Sequence, residues 1–197
     1  NADRLIREFR KFFNDAVSTG TGTYKTYVIK KEDGDAQRMA ALAALLDKNN
    51  IQYGSAKGNA KGYNYFTGKD EAFAVSEGDI VISNAQPKST LLSVLFEPKS
   101  KLVDSATYDI TAWALPYVYG VTAYAVKEKI SITGSYVKEP PAQNTAINEY
   151  GYVIPWEGVQ SAKAVAQLIQ KGVKLRFAAT GFEVNGASFN AGAVIIL

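Results

Sequence analysis

TYVIKKEDGDAQRMAALAALLDKNNIQY, residues 26–53, decides the fold of this chain. An apolar strand is predicted at 23–30, and a second strand begins at Ile51. Between them, residues 35–48 have the apolar spacing of a helix with one buried face. That face is formed by Met39, Leu42, Leu45 and Leu46. Strand, helix and strand in this order make a β-α-β unit, which predicts parallel strands and a right-handed crossover.

The same order of segments occurs a second time. Tyr-Val-Ile is found at 27–29 and again at 152–154, where a helix at about 159–171 and a strand at 173–178 follow. Each half then has two phenylalanines seven positions apart before a glycine and an apolar strand; they are Phe66 and Phe73, then Phe182 and Phe189. The repetition predicts an α/β protein of two similar β-α-β-β-β modules, with mixed sheets and helices packed on them.

The remaining segments define the expected domain organisation. An amphipathic N-terminal helix gives a connector at 1–20, and the first module spans 21–137 with a helical insertion at about 84–120. A proline-containing linker at 138–149 leads to the second module, 150–197. The chain starts without Met and stops in an apolar run, so we expect it to be a piece of a larger protein whose second module is truncated.

The apolar stripe of the N-terminal helix is formed by Leu5, Ile6, Phe9, Phe12, Phe13, Ala16 and Val17. Basic residues spread around its other side, as in helices that lie on membranes. We favour the simpler interpretation, in which the stripe docks on its own domain or on a preceding one.

Composition excludes several classes of chemistry. The chain has 0 Cys and 0 His, so it cannot form disulfides, a thiolate nucleophile or a Ser-His-Asp triad. Paired carboxylates remain available, but the acids at 32–35, at 77–79 and at Glu97 are expected in solvated turns and helix caps. The net charge of +3 is scattered, which argues against nucleic-acid binding. No run of residues is apolar enough for a membrane span.

A glycine-rich stretch, GSAKGNAKGYNYFTG at 54–68, allows two interpretations. A phosphate-binding loop needs its glycines directly before a helix, with Gly-Lys followed by Ser or Thr. Here Lys61 precedes Gly62 and no helix pattern follows. We therefore expect a mobile surface loop.

The most aromatic segment is TYDITAWALPYVYG, residues 107–120. A helix capped by Thr107 is predicted to run to Leu115 and to end at Pro116, with an extended piece after it. The segment is either an aromatic platform for a sugar or peptide, or a buried plug between the two modules. The candidate binding residues are Asp109, Trp113, Tyr117, Tyr119 and, in the second module, Trp156.

Four short motifs carry a resemblance to a known family. They are Gln86-Pro87-Lys88-Ser89, Phe96-Glu97-Pro98, YDITAWALPY at 108–117 and Val153-Ile154-Pro155-Trp156. With them, the whole chain resembles the region that follows the catalytic domain in large bacterial zinc-carboxypeptidase-like proteins, of the carboxypeptidase A type. In those proteins a glutamine-amidotransferase-like domain often comes next or partly overlaps this region.

The resemblance implies an accessory role within an exported, periplasmic or envelope-associated protein. The family's zinc site uses a His-x-x-Glu pair and a later His, so none of it can lie in a chain with 0 His, and zinc is expected only in the parent's catalytic domain. The leading hypothesis is a non-catalytic domain that packs against the peptidase domain of the same parent chain. The alternative is a module that binds peptides or peptidoglycan fragments through residues 108–119.

Overall fold

The computed structural model describes residues 2–32, 34–99, 114–138 and 150–197. The chain divides into two compact units, Asn1–Pro141 and Ala142–Leu197. Each unit is a small layered α/β structure with its own sheet.

The first unit contains one five-stranded sheet in which every strand pair is antiparallel, in the order β3-β2-β5-β1-β4. Its elements are α1 (Ala2–Ser18), β1 (Thr26–Ile29), α2 (Ala36–Lys48), β2 (Gly58–Asn64), β3 (Asp70–Val75), β4 (Ile80–Ser83), α3 (Ser89–Phe96), α4 (Leu115–Tyr119) and β5 (Ala123–Val126). The predicted N-terminal helix, the α2 helix and the short helix before Pro98 are confirmed.

The core lies on both faces of β1, which is why all four of its residues are buried. Tyr27 and Ile29 point to one face and pack with the predicted stripe of α2. Val28 points to the other face, where it joins Val81 and Val126. Successive side chains of a strand alternate between faces, so a strand covered on both sides reads as an uninterrupted apolar run.

The α/β class is confirmed, but in place of the predicted mixed sheets every described strand pair is antiparallel, and the two ends of the β-α-β unit are not neighbours. The segment after α2 forms an antiparallel bridge between Gly54 and Val81 of β4, and β4 is antiparallel to β1. The two ends of the β-α-β unit therefore run in the same direction with β4 between them. Strand β4, the last strand of the β-α-β-β-β module, therefore lies next to β1, in the place where the β-α-β pattern alone would put the segment after α2.

The glycine-rich stretch is also different from its prediction, because residues Gly58–Asn64 form β2 rather than a loop. Gly62 is buried in this strand, and a Cβ there would lie 2.9 Å from Cγ2 of Val126 and 3.0 Å from the carbonyl oxygen of Ala125. Glycine thus allows β2 to lie close against β5, which is a structural use of the residue in a strand.

The second unit repeats the arrangement of the first with matching register. Its elements are β6 (Tyr152–Ile154), α5 (Gly158–Gln170), β7 (Leu175–Phe177), β8 (Phe182–Val184), β9 (Ala187–Phe189) and β10 (Val194–Ile196). The last strand again lies in the middle, in the order β6-β10-β7. Tyr27 pairs with Ile82 in the first unit, and Tyr152 pairs with Ile196 in the second.

The helix ends are equivalent as well. The backbone N–H of Ile51 donates to the carbonyl of Leu46 after α2, and that of Val173 donates to Leu168 after α5, both at 3.0 Å. The residue before each donor is left-handed, with φ 53° at Asn50 and 74° at Gly172. Glycine and asparagine are the residues that tolerate this conformation at a helix C-terminus.

The hairpins are the part of the repeat that differs. Phe182 pairs with Phe189 across β8 and β9, whereas Phe73 pairs with Ala60 and Phe66 lies in the turn after β2. The equal spacing of the phenylalanines is therefore not a structural equivalence, because the second hairpin has a much shorter connection.

Gly172→Ala tests the shared helix ending. The left-handed conformation costs an L-residue with a Cβ about 1 kcal/mol, so we expect the free energy of unfolding of the second unit to fall by about that amount. Gly172→Asn, which introduces the residue of the first unit, is the matched control and is expected to cost less than half as much. Urea denaturation followed by Trp156 fluorescence in a Trp113→Phe background gives the measurement; equal losses for the two variants would contradict the equivalence.

Candidate functional site

The structure describes three of the five candidate binding residues. Tyr117 and Tyr119 lie on α4, and Trp156 follows β6. Asp109 and Trp113 fall outside the described residues, so the predicted face that they share on a helix remains a prediction.

Pro116 begins a helix rather than ending one. Helix α4 starts at Leu115 with Pro116 in its first turn and stops at Gly120, whose φ is 62°. A proline is favourable in a first turn because its missing N–H has no partner there in any case. Tyr117 and Tyr119 are consequently helical, and the extended piece predicted for them is wrong.

Tyr117 belongs to an aromatic cluster inside the first unit. Its ring centroid lies 5.4 Å from that of Tyr65 and 5.9 Å from that of Phe66, both in edge-on geometry. Its hydroxyl donates to the carbonyl of Tyr65 at 2.8 Å, and the Tyr65 hydroxyl donates to the carbonyl of Phe96. Burial raises the pKa of both phenols. The polar ends are satisfied by backbone, which is the geometry of a structural cluster.

The other two described candidates differ in their surroundings. Tyr119 is half-buried and packs against the same core as Tyr117. Trp156 is 51% exposed and lies beside Gly192, about 3.8 Å from where a Cβ on that glycine would stand. Tyr119 therefore contributes mainly to packing, whereas Trp156 offers an open ring surface.

Two residues of one resemblance motif, Gln86 and Ser89, take part in a buried polar network. The side-chain amide of Gln86 donates to the carbonyl of Gln52 at 3.0 Å and accepts from its N–H at 2.8 Å, so it pairs with that residue as a neighbouring strand would. Ser89 donates to Oδ1 of Asn84 at 3.0 Å and accepts from the N–H of Thr21 at 2.6 Å. These residues hold α3 and the segment before β1 against the end of β4.

Two of the acids expected in solvated turns are buried. Asp79 is 1% exposed and Asp35 is 2% exposed. Asp79 accepts from Nζ of Lys30 and from the backbone N–H groups of Lys31 and Ser76, at 2.9 and 2.8 Å. Arg38 pairs with Asp35. The expectation of solvated acids is wrong at these positions because a cation covers each carboxylate: Arg38 of the following helical turn for Asp35, and Lys30, 49 positions away in the sequence, for Asp79. The negative charge of each carboxylate is balanced by the cation beside it, as is usual for buried acids with a structural role.

The described ranges contain no group of three acidic side chains placed to hold a metal ion. Among the clefts of the described residues, two stand out by their lining. One, of about 220 Å³, lies in the first unit beside Lys31, Glu32 and Tyr136. The other, of about 640 Å³, lies in the second unit between β6 and the β8–β9 hairpin. The larger cleft is bordered mainly by apolar side chains, with Glu183 as its charged residue.

The apolar stripe of α1 is an extended exposed apolar surface of the first unit. Leu5 is 73% exposed and Phe9 is 63% exposed, and the stripe continues through Ile6, Phe12, Phe13 and Val17. Ala16 is the buried residue of this helix. Large apolar side chains aligned on one helix face mark a surface that another molecule or domain covers.

The chain matches no family model, and no curated protein or solved structure was found to be similar to it. Within the described residues, no helix combines the length and the apolar character that a membrane crossing requires.

Gln86→Ala tests whether the first resemblance motif is structural. Removing the amide leaves the N–H and C=O of Gln52 without their partner, so we expect the free energy of unfolding to fall by about 1–3 kcal/mol. Gln52→Ala is the matched control, since its exposed side chain is lost while the backbone bonds remain, and we expect a change within about 0.5 kcal/mol. Chemical denaturation measures both; a stable Gln86→Ala protein would show that the amide has another role.

Proposed function

We propose that this chain is a non-catalytic accessory module of an exported zinc-carboxypeptidase-like protein, and that α1 packs its apolar face against the peptidase domain of the same parent. The observation that carries the proposal is the exposed stripe of α1. The resemblance of the sequence motifs to the region after such a catalytic domain supplies the identity of the partner.

The exposed side chains are large enough to make this packing favourable. Covering a leucine or phenylalanine side chain stabilises an interface by roughly 1.5–3 kcal/mol. The stripe of α1 presents six such apolar side chains: Leu5, Ile6, Phe9, Phe12, Phe13 and Val17. Even after the entropy cost of association, covering half of them supports a stable contact between domains of one chain.

The C-terminal end of α1 is fixed to its own unit, which orients the stripe. Lys129 donates through Nζ to the carbonyl of Ser18 at 2.5 Å. At Gly20 a Cβ would lie 2.7 Å from the carbonyl oxygen of Asn84, so the chain leaves the helix in close contact with the end of β4. A helix held at one end and uncovered along its stripe is suited to joining two domains.

A non-catalytic role also agrees with the available side chains. The sequence has 0 His and 0 Cys, and the buried carboxylates of Asp35 and Asp79 are each paired with a cation. A general acid or base needs a group that can exchange a proton with a substrate, and the carboxylates of Asp35 and Asp79 are instead engaged with cationic partners in the same unit.

Phe9→Asp in the intact parent protein tests the docking of α1. We expect proteolysis within α1 to become at least tenfold faster, because a carboxylate in the stripe opposes burial of the helix. Arg7→Ala on the polar side is the matched control and is expected to leave the rate unchanged. Limited proteolysis with mass spectrometry gives the rates.

Two outcomes would overturn the proposal. One is an unchanged proteolysis rate in Phe9→Asp together with unchanged peptidase activity when the whole region is deleted. The other is binding of residues 1–197 to anionic phospholipid vesicles that is lost in Phe9→Asp, which would assign the stripe to a membrane surface.

The binding module predicted from residues 108–119 is the alternative. Because the hydroxyl of Tyr117 is engaged with backbone, recognition would depend on Trp113. Trp113→Ala is expected to lower retention of peptidoglycan fragments at least tenfold under this alternative. Phe177→Ala, at an exposed aromatic residue outside the candidate set, is the control in pull-down assays. Equal retention by the Trp113→Ala protein and the unmodified protein would dismiss it.

A further inference from the structure

The first unit has a strand for which the second unit has no described equivalent. Strand β5 lies between β1 and β2 and pairs with both. In the second unit β6 takes the place of β1 and pairs with β10 on one side. In the part of the chain that the structure describes, no strand pairs with the other edge of β6, and β8 and β9 form a separate two-stranded sheet.

The 640 Å³ cleft of the second unit lies where the equivalent of β5 would fit. It is bordered by Tyr152 and Val153 of β6, by the β8–β9 hairpin and by the end of β10. In the first unit β5 lies between β1 and the β2–β3 hairpin, and Val126 of β5 joins Val81 of β4 in one buried cluster. The register shared by the pairs β1–β4 and β6–β10 makes this comparison residue by residue for those strands.

Residues of β6 are more exposed than the residues at equivalent positions of β1. Tyr27 is 2% exposed, whereas Tyr152, at the same register position of β6, is 39% exposed. Val28 is fully buried and its equivalent Val153 is only half-buried. These side chains are buried in the first unit, where β5 completes the sheet beside them.

The backbone of β6 can hold a short added strand. Lys30 donates its N–H to the carbonyl of Thr122 at 2.8 Å, and bonds in an antiparallel pair alternate, so Val28 exchanges bonds with Tyr124 of β5. The equivalent of Val28 is Val153, whose N–H and C=O therefore face the cleft. Pro155 stands at the equivalent of Lys30 and has no N–H, which limits the ladder to a few residues.

We propose that this cleft binds an extended peptide segment as an antiparallel strand added to β6. The occupant has the chemistry of β5, with small apolar residues on either side of one aromatic residue and a cation after them. The segment VTAYAVK, residues 121–127, has this pattern. In the first unit Lys127 pairs with Asp70 of the hairpin at 3.8 Å, and Glu183 offers a carboxylate on the second hairpin.

This site does not depend on the proposed function, because it involves neither α1 nor a peptidase domain. It is also distinct from the aromatic segment 108–119. Adding a strand to a sheet edge gives affinity through the main chain and selectivity through alternate side chains.

The experiment titrates residues 1–197 into VTAYAVK-NH₂ that carries fluorescein at its N-terminus, which leaves the lysine free, and follows anisotropy. We expect saturable binding that weakens at least tenfold when the tyrosine nitrogen of the peptide is methylated, because that N–H donates to Val153. Methylation of the alanine before the tyrosine is the matched control, since that N–H points away from β6, and we expect less than a threefold change. A scrambled peptide controls for composition.

Val153→Pro in the protein removes the other bond of the pair and is expected to weaken binding of the unmodified peptide at least tenfold. Urea denaturation of this variant separates loss of the edge from loss of the fold. Absence of saturable binding, equal binding of the two methylated peptides, or unchanged binding by a folded Val153→Pro protein each overturns the proposal. So does self-association that occupies the cleft, seen by sedimentation and abolished in the same variant.

Discussion

The pairing of the last strand of each module with its first strand is the constraint on which the rest of the structure depends. Strands β4 and β10 each follow a hairpin in the sequence and pair on both sides. Strand β4 pairs with β1 and with the segment after α2. Strand β10 pairs with β6 and with β7, the strand after α5. Without this insertion the helix connection would bring two strands into direct parallel contact. With it, every described neighbour is antiparallel and the helix still covers one face.

The two units differ in how completely that arrangement is covered. Strand β5 gives the first unit a second apolar layer around Val28, Val81 and Val126. The second unit is smaller, and its one fully enclosed helix residue is Val165. A small domain buries a lower fraction of its apolar surface, which is consistent with the exposed side chains at Tyr150, Val159 and Phe177. The exposed side chains along β6 are therefore part of a more general exposure of apolar residues in the second unit.

Local periodicity allowed α1, α2, α3, α5, most of the strands and the equivalence of the two modules to be predicted, because side-chain spacing reports which face of an element is buried. It could not report pairing, since β4 enters between β1 and Gly54 from 26 or more residues away along the chain. Strand β2 was missed because glycine has no side chain to show a period. Burial of Asp79 was missed because its cover, Lys30, is distant in sequence. In the candidate site, the difference between the exposed ring of Trp156 and the packed rings of Tyr117 and Tyr119 depends on tertiary contacts that the sequence does not report.

The two surfaces assigned a binding role differ in what they present. Helix α1 presents side chains, so the proposed partner would be recognised by apolar area and shape, and one charged residue in the stripe would be enough to oppose contact. The edge at Val153 presents backbone, so the proposed peptide would be recognised by its extended conformation and by the N–H of a single residue. A module with no imidazole or thiol has few means of catalysis, but both of these recognition modes need only geometry. The β-α-β-β-β architecture occurs in both units. In the first unit β5 pairs with the edge of β1, and in the described residues of the second unit β6 pairs with β10 alone.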